Sequence, residues 1–166
     1  MNIQSTKLLL DKLKIKENDL KKTNLILNPF INNWHCNILK FGRINTILIT
    51  NDKTLYSFFI GGYKANDFKD FRLSISEDIF TIMRNLNFQQ KHIEVILNSL
   101  QNITISKTSN KGVLASMTQI KRFVEAGLEK GDDVMDINHR INTIPHKVLE
   151  FKTSYEEFVE LLDYNL

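Results

Sequence analysis

The chain has 166 residues, a formal net charge of +3, 42% hydrophobic and 25% charged residues, and one cysteine. This apolar content excludes a disordered chain, and a single cysteine excludes an intramolecular disulfide framework or a cysteine-based zinc cluster. The length predicts a single domain over residues 1–166 with a sizeable core. No apolar run approaches the roughly 20 residues of a membrane-spanning helix, and charges interrupt the opening stretch too early for a signal peptide. We therefore predict a cytoplasmic protein that makes no membrane contact.

The charge is unevenly distributed along the chain. Basic residues crowd the start and acidic residues the end: Lys7, Lys12, Lys14, Lys16, Lys21 and Lys22 against Glu150, Glu156, Glu157, Glu160 and Asp163. Acidic residues also interrupt the basic stretch, which favours a solvated amphipathic face. A net charge of +3 is too small to imply a surface that tracks nucleic-acid phosphates. The two ends are therefore candidate contacts with a partner, or with each other in the fold or in a homodimer.

The first half of the chain predicts a short helix followed by strands. Ser5 and Thr6 are candidate N-caps for the helix, and Asn28 before a proline marks a break. Residues 35–41, 44–50 and 54–60 are rich in β-branched and aromatic residues and are separated by tight turns. Three short strands with such links predict an antiparallel meander, which Gly61 and Gly62 are expected to end.

The second half predicts helices with one more strand. Ser76 is a candidate N-cap for a helix whose apolar residues recur at i, i+3, i+4 and i+7, and a second helix repeats the spacing from Ile93 to Leu100. We expect these two helices to pack as a hairpin on one sheet face. Residues 102–107 alternate like a fourth strand, and a long helix then runs to Gly131.

Two shorter helices are expected to follow. Asp132 or Asp133 is the candidate cap of the first, and Ser154 with Glu157 forms an S-x-x-E capping box for the last. The predicted fold class is α+β: a small antiparallel sheet, made of the meander plus a fourth strand, covered by several helices.

Recognisable catalytic motifs are missing from the sequence. The four histidines, His35, His92, His139 and His146, lie far apart without ligand spacing, so we predict no metal and no cofactor. Cys36 follows His35 in a strand, where neighbours point to opposite faces, so this pair cannot act as nucleophile and base. The acidic residues around Asp132 could be a nuclease site. They are explained more simply as carboxylates at the start of a helix, where the helix dipole stabilises them.

Polar residues cluster where predicted elements end. Trp34, His35 and Asn37 open the first meander strand, and Asn51 and Thr54 flank the second turn. The start of the first strand of a meander lies near the end of its second strand, so these side chains are expected to be neighbours. They either bond the backbone of the turns, as Asn and Thr usually do, or line a ligand pocket. Residues 108–110 precede the long helix, whose N-terminus could offer N–H groups to an anion or a carbonyl.

Several segments resemble an uncharacterised bacterial domain-of-unknown-function family. The opening S-T-K-L-L-L-D-K-L fits the family, and W-H-C-N at 34–37 resembles its W-H-A-N segment. Residues 49–56 resemble its F-x-N-D-x-T-x-Y/F segment, and residues 64–68 resemble its K-x-x-D-F segment. Residues 107–117 resemble its K-T-x-N-R-S-V-L-G-S-M segment, and residues 137–145 resemble its I-N-R-R-L-N-x-x-P segment. The resemblance implies one compact domain and marks seven matching positions: Trp34, Asn37, Asn51, Thr54, Ser116, Arg140 and Asn142. Here Lys111 and Gly112 replace Arg-Ser, and Thr118 and Gln119 replace Asn-Asp, so any chemistry of those family residues is lost.

Three functions remain open from the sequence. The leading hypothesis is a non-enzymatic interaction or regulatory protein of a bacterium or its mobile elements, such as a phage or plasmid accessory protein that inhibits a host defence and binds a protein partner. The alternatives are an RNA- or DNA-binding module, and a small enzyme with His35 as acid or base. The candidate binding residues are those seven family positions together with His35. A cleft joining Trp34, His35, Asn37, Asn51 and Arg140 would favour the enzyme. A continuous stripe of Lys7, Lys14, Lys21 and Lys121 would favour nucleic acid, and an exposed apolar patch would favour a protein partner.

Overall fold

The computed structural model describes residues 1–20 and 29–166 and shows an α+β architecture. The predicted break at Asn28 and the basic residues Lys21 and Lys22 lie outside the described residues. In chain order the described elements are β1 (Asn2–Ser5), α1 (Lys7–Leu13), α2 (Pro29–Asn32), β2 (Asn33–Phe41), β3 (Ile44–Asn51), β4 (Ser57–Tyr63), α3 (Ala65–Lys69), α4 (Phe71–Asn85), α5 (Gln90–Leu100), β5 (Thr104–Lys107), α6 (Lys111–Lys130), α7 (Val134–Thr143) and α8 (Ser154–Tyr164), with 3-10 turns at Glu17–Asp19 and Lys147–Leu149.

The sheet contains the predicted meander and two further strands. Its strand order is β4-β3-β2-β1-β5, and β2, β3 and β4 pair antiparallel, as expected from their β-branched and aromatic residues and tight turns. The prediction of a purely antiparallel sheet is wrong, because β1 is inserted between β2 and β5 and pairs in parallel with both. β1 escapes sequence reading because it is four residues long and only Ile3 contributes to the apolar core.

Several element ends differ from the sequence-based expectations. The sheet does not end at Gly61 and Gly62, because β4 continues through both to Tyr63. α4 begins at Phe71, well before Ser76. The capping box of α8 lies one residue earlier than predicted: Thr153 is the N-cap, and its side chain exchanges hydrogen bonds with Glu156.

Other predicted helix ends are confirmed. The side chain of Asp133 accepts the backbone N–H of Asp136 and caps α7. Gly131 ends α6 in the left-handed conformation, with φ 82°. Thr6 is the N-cap residue of α1, although its side chain makes no cap hydrogen bond.

A hydrophobic core fills each face of the sheet. On one face Trp34, Phe58 and Phe158 pack with the hairpin of α4 and α5, with α1 and with α8. On the opposite face Leu48 and Phe59 meet the apolar stripes of α6 and α7. The sheet is therefore buried on both sides. No described helix combines the length and the apolar character needed to cross a membrane.

An ionic contact joins α5 to α8 and gives the fold a pH dependence. The carboxylate of Asp163 lies 2.9 Å from the Nε2 atom of buried His92 and 2.9 Å from the Nζ atom of Lys91. These two contacts hold the pKa of Asp163 below its usual value, His92 contributing more. A lowered carboxyl pKa stabilises the fold above the ordinary Asp pKa of about 4, and this stabilisation is lost as the pH falls through the folded-state pKa.

We expect Asp163→Asn to lower the thermal midpoint at pH 7 and to lower it less in acid. Neutralising the side chain removes the charge from the contacts with Lys91 and His92 at pH 7, whereas the wild-type carboxyl itself becomes protonated as the pH falls. Thermal melts of both proteins at several pH values measure the difference. An equal deficit at pH 7 and in acid would contradict this assignment. Glu129→Gln, in another helix, is the matched control.

Candidate functional site

The eight candidate binding residues do not form one cleft. Trp34 and His35 point to opposite faces of the sheet. The Trp34 indole is buried in the core, where its N–H donates to the carbonyl of Ile31 at 2.7 Å. Arg140 lies on α7 and pairs with the carboxylate of Asp132. Ser116 lies on α6, partly exposed. The geometry that would have favoured an enzyme built from these residues is therefore not present.

Asn51 and Thr54 organise the turn between β3 and β4. The Asn51 Oδ1 atom accepts the N–H groups of Lys53 and Thr54 at 3.0 Å each and the Thr54 hydroxyl at 3.1 Å. Its Nδ2 atom donates to the carbonyls of Phe30 and Asn33. Asn51 also faces Trp34 across the β2–β3 pair, as expected from the meander. The side chains of Asn51 and Thr54 are both fully buried, and their role here is to bond the backbone of the turn.

Asn37, within β2, has a comparable structural role. Its Oδ1 atom accepts the hydroxyl of Thr6 at 2.9 Å. The bond ties β2 to the point where the chain leaves β1 and enters α1. The Thr6 hydroxyl is thereby diverted from capping the helix, which explains why it makes no cap hydrogen bond.

Asn138 and Asn142 close the free edge of the sheet. Each amide accepts a backbone N–H of β4 and donates to the carbonyl of the same residue: Asn142 to Ser57, and Asn138 to Phe59, at 2.7 to 2.9 Å. The second amide proton of each side chain is donated to a carbonyl within α7. The two asparagines, four residues apart on α7, therefore mimic a neighbouring strand. The backbone groups of Ser57 and Phe59, paired in this way, are not available to template pairing with another chain.

A row of buried polar side chains crosses the second face of the sheet. Neighbouring positions on all five strands are polar: Ser57, Thr50, His35, Gln4 and Ser106, from β4 to β5. All five residues are buried, and the hydroxyls of Thr50 and Ser57 lie 2.8 Å apart. Interior positions of a sheet are usually apolar, so a complete polar row requires internal partners.

Asp52 and Ser109 supply partners for the centre of this row. The Nδ1 atom of His35 lies 2.6 Å from one Asp52 carboxylate oxygen, and the Gln4 amide donates to the other at 3.0 Å. Gln4 in turn accepts the N–H and the hydroxyl of Ser109, the residue that leads into α6. The network fixes the imidazole in the manner of an acid–base histidine, but His35 is 0% exposed and its Nε2 atom has no partner among the described residues. In this conformation a substrate does not reach it.

Sequence reading missed Gln4, Asp52 and Asn138, and it also missed the row residues Thr50, Ser57 and Ser106. Asp52 and Asn138 both stand inside the segments that carried the family resemblance, so their segments were visible but their partners were not. Gln4 could not be assigned because β1 was not predicted. The spacing of Asn138 and Asn142 at i and i+4, on the buried face of a helix, is the signal that points to a shared partner.

An exposed apolar loop joins α7 to α8. In residues 144–153, which we call the apolar loop, Val148 is 74% and Phe151 72% exposed. Backbone contacts nevertheless hold the loop: Phe151 N–H donates to the carbonyl of His146 at 3.0 Å, and Pro145 forms a bridge with Thr153. Leu149 anchors the loop by packing on the core beneath α6 and α7. Two apolar side chains are thus presented to solvent on a fixed backbone.

Fold and edge define the class of protein: an α+β domain with a mixed five-stranded sheet, helices on both faces, and asparagines sealing one edge. A sequence model described as domain of unknown function (DUF6933) matches residues 2–157. The chain belongs to this family, which confirms the resemblance to an uncharacterised family. No curated protein matches the chain, and no solved structure matches it.

Proposed function

We propose that the chain is a non-enzymatic interaction protein that docks a protein partner through Val148 and Phe151 of the apolar loop. The observation that carries the proposal is a loop, held by its own backbone hydrogen bonds, that exposes about three quarters of two large apolar side chains. Burying such side chains would stabilise the protein, whereas side chains that stay exposed add no hydrophobic stabilisation to the isolated fold. Aromatic side chains on a rigid support are typical anchors of protein interfaces.

The backbone of the loop supports a functional origin for this exposure. Glu150 and Phe151 have φ of 55° and 65°, the left-handed region that non-glycine residues adopt at a cost of about 1 to 2 kcal/mol. Glycine or asparagine would satisfy the same turn with less strain. A phenylalanine that is strained and unburied contributes little to folding, so its contribution is expected in a complex.

The shape and charge of the loop define the partner. Val148 and Phe151 protrude, so the partner presents an apolar pocket wide enough for a phenyl ring. Exposed Lys147 and Glu150 flank the two side chains and would meet opposite charges at the rim of that pocket. We further propose that the protein acts in the cytoplasm of a bacterium, as an accessory protein of a phage or plasmid. Lys, Asn and Ile, whose codons are rich in A and T, are abundant in the chain and fit an AT-rich genome, and a single cysteine fits a reducing compartment.

The nucleic-acid and enzyme alternatives receive less support. Lys7 and Lys121 lie on α1 and α6, which pack on opposite faces of the sheet, so these two do not share one stripe. Lys121 is also paired with Glu125. For an enzyme, His35 is oriented by Asp52 but is fully buried. A homodimer formed through the apolar loop is the remaining alternative, and the experiment below distinguishes it.

Phe151→Gly is expected to weaken partner binding by at least about tenfold without lowering the thermal midpoint of the free protein, because glycine accepts the left-handed backbone. A photo-crosslinking amino acid at position 151, introduced in the bacterial host, captures the partner covalently. The captured protein is then purified separately, and its Kd is measured against wild type and variant.

Tyr164 provides the matched control, since it is aromatic and 86% exposed but lies at the end of α8. A crosslinker at position 164 should give no specific adduct, and Tyr164→Ala should leave the Kd unchanged. Equal adducts at both positions, or equal affinity of the purified partner for Phe151→Gly, would overturn the proposal. Adducts only with a second copy of the chain, together with a dimer in sedimentation that Phe151→Gly dissolves, would replace it with a homodimer.

A further inference from the structure

Two adjoining clefts lie where the end of α1 meets α3 and the start of α4. They have volumes of about 530 and 500 Å³ and share Leu13, Phe68 and Lys69, so they form one continuous groove. Ile105 of β5 and Ile103, the residue before that strand, also line it. Leu13, Ile103 and Ile105 are half-buried and pack on the hydrophobic core beneath. The groove therefore has an apolar floor.

The rim of this groove, which we call the basic groove, carries an excess of positive charge. Four basic side chains line it against two acidic ones, and all six are exposed: Lys12, Lys14, Lys69 and Arg72 against Asp11 and Asp70. Lys12, Lys14 and Lys69 make no ion pair with any described residue. An apolar floor with a cationic rim is complementary to a ligand that is apolar in its centre and acidic at its ends.

Acidic residues near the end of the chain have partners elsewhere in the fold. Glu157 and Glu160 contact Lys152, and Asp163 contacts Lys91 on α5. These ion pairs lie around α8, whereas α1, α3, α4 and β5 form the basic groove. Folding thus pairs several acids of the chain end and leaves the lysines of the groove without described partners. The charge offered to a partner is the positive charge of the groove.

β5 places an open sheet edge beside the basic groove. Within the described part of the chain β5 pairs with β1 alone, whereas Asn138 and Asn142 cover the opposite edge of the sheet. The N–H of Thr104 donates to the carbonyl of Met1 at 2.9 Å, on the β1 side. Successive residues of a strand direct their backbone groups to opposite sides, so the N–H and the carbonyl of Ile105 point away from β1. An edge of this kind can accept a further strand.

We propose that the basic groove binds an extended acidic peptide segment of a protein partner, which adds as a strand to the edge of β5. The backbone of the segment pairs with the N–H and the carbonyl of Ile105, and its apolar side chains enter the groove over Leu13. Carboxylates at its ends meet Lys12, Lys14 and Lys69. A peptide fits better than a nucleic acid, because the two rim carboxylates would repel a chain of phosphates. This surface is separate from the apolar loop and goes beyond the function proposed above.

The test uses the full chain and defined peptides. The acidic probe is D-E-V-T-V-T-V-E-D, and K-K-V-T-V-T-V-K-K reverses the charge around the same apolar centre. In calorimetry we expect the acidic probe to bind at least about tenfold more tightly than the basic one, and to weaken as salt is added. Two N-methylated forms of the acidic probe, blocked at alternate amides, report strand addition. Only the form whose blocked amides face β5 should lose binding.

Lys12→Glu combined with Lys69→Glu is expected to weaken binding of the acidic probe by about tenfold, because two attractive charges on the rim become repulsive. Arg122→Glu combined with Lys130→Glu is the matched control: both residues are exposed on α6, which packs on the opposite face of the sheet, and Kd should not change. Phe151→Gly should bind the acidic probe normally, so the basic groove and the apolar loop can fail independently.

Several outcomes would overturn the proposal. These are equal affinity for the acidic and basic probes, equal binding of both N-methylated forms, wild-type affinity of the Lys12→Glu, Lys69→Glu variant, and no binding at about 5 mM. An oligo-dT strand that binds more tightly than the acidic probe and displaces it would replace the peptide with a nucleic acid.

Discussion

Asn142→Ala is expected to lower the free energy of unfolding by about 2 to 4 kcal/mol, since it leaves buried backbone groups of an edge strand without partners. The N–H and the carbonyl of Ser57 lose their bonds to the side chain, at 2.8 and 2.7 Å, and neither group is reached by water in the native fold. Urea denaturation of wild type and variant measures the loss. Asn138→Ala is expected to have a similar effect through Phe59.

His139→Ala is the matched control, because it lies on the same helix between the two asparagines but is exposed. Its effect on unfolding should be within about 0.5 kcal/mol of zero, as for most surface substitutions. If Asn142→Ala behaved like His139→Ala, the asparagines would not be sealing the edge. A second consequence can be checked by gel filtration: the unsealed β4 edge should make the variants associate with rising concentration.

Asn51→Ala is expected to be the most destabilising asparagine variant, with a loss of about 3 to 5 kcal/mol, because one side chain serves several buried backbone groups at once. The Oδ1 atom accepts from Lys53 and from Thr54, and Nδ2 bonds two further carbonyls. Removing the amide frees the β3–β4 turn and loosens its connection to α2. Urea denaturation again supplies the measurement.

Asn66→Ala, an exposed position on α3, provides the control for Asn51. Asn51→Ser retains a smaller acceptor and should recover part of the loss. A variant at Asn51 that kept full stability would contradict the structural assignment and revive the hypothesis of a ligand contact at this residue.

The sequence predicted well where local patterns decide structure. The meander was expected from three seven-residue segments rich in β-branched and aromatic residues and separated by tight turns, and β2, β3 and β4 formed with Trp34 and Asn51 as neighbours, as expected. The helix ends at Asp133 and Gly131 were likewise predictable, because a helix cap depends on the residues next to it in the chain. These features need no knowledge of distant contacts.

The candidate site was predicted less well because its partners are distant in sequence. Asn142 was selected as a binding residue, but its partner Ser57 lies 85 positions away. Trp34 was also selected as a binding residue, but it belongs to the aromatic core with Phe58 and Phe158. Resemblance to a family identified important positions and could not separate packing from binding.

The sequence by itself determined the α+β class, the family, the meander and the helical hairpin, since hydrophobic period and turn residues act over a few neighbouring positions. Only the tertiary structure decided that β1 enters the sheet in parallel, that two asparagines seal its edge, and that Asp52 and Ser109 serve the buried polar row. Each of these depends on hydrogen-bonding groups brought together from remote parts of the chain. Local propensity carries no information about such pairings, because burial and partner supply are set by the packing of whole elements.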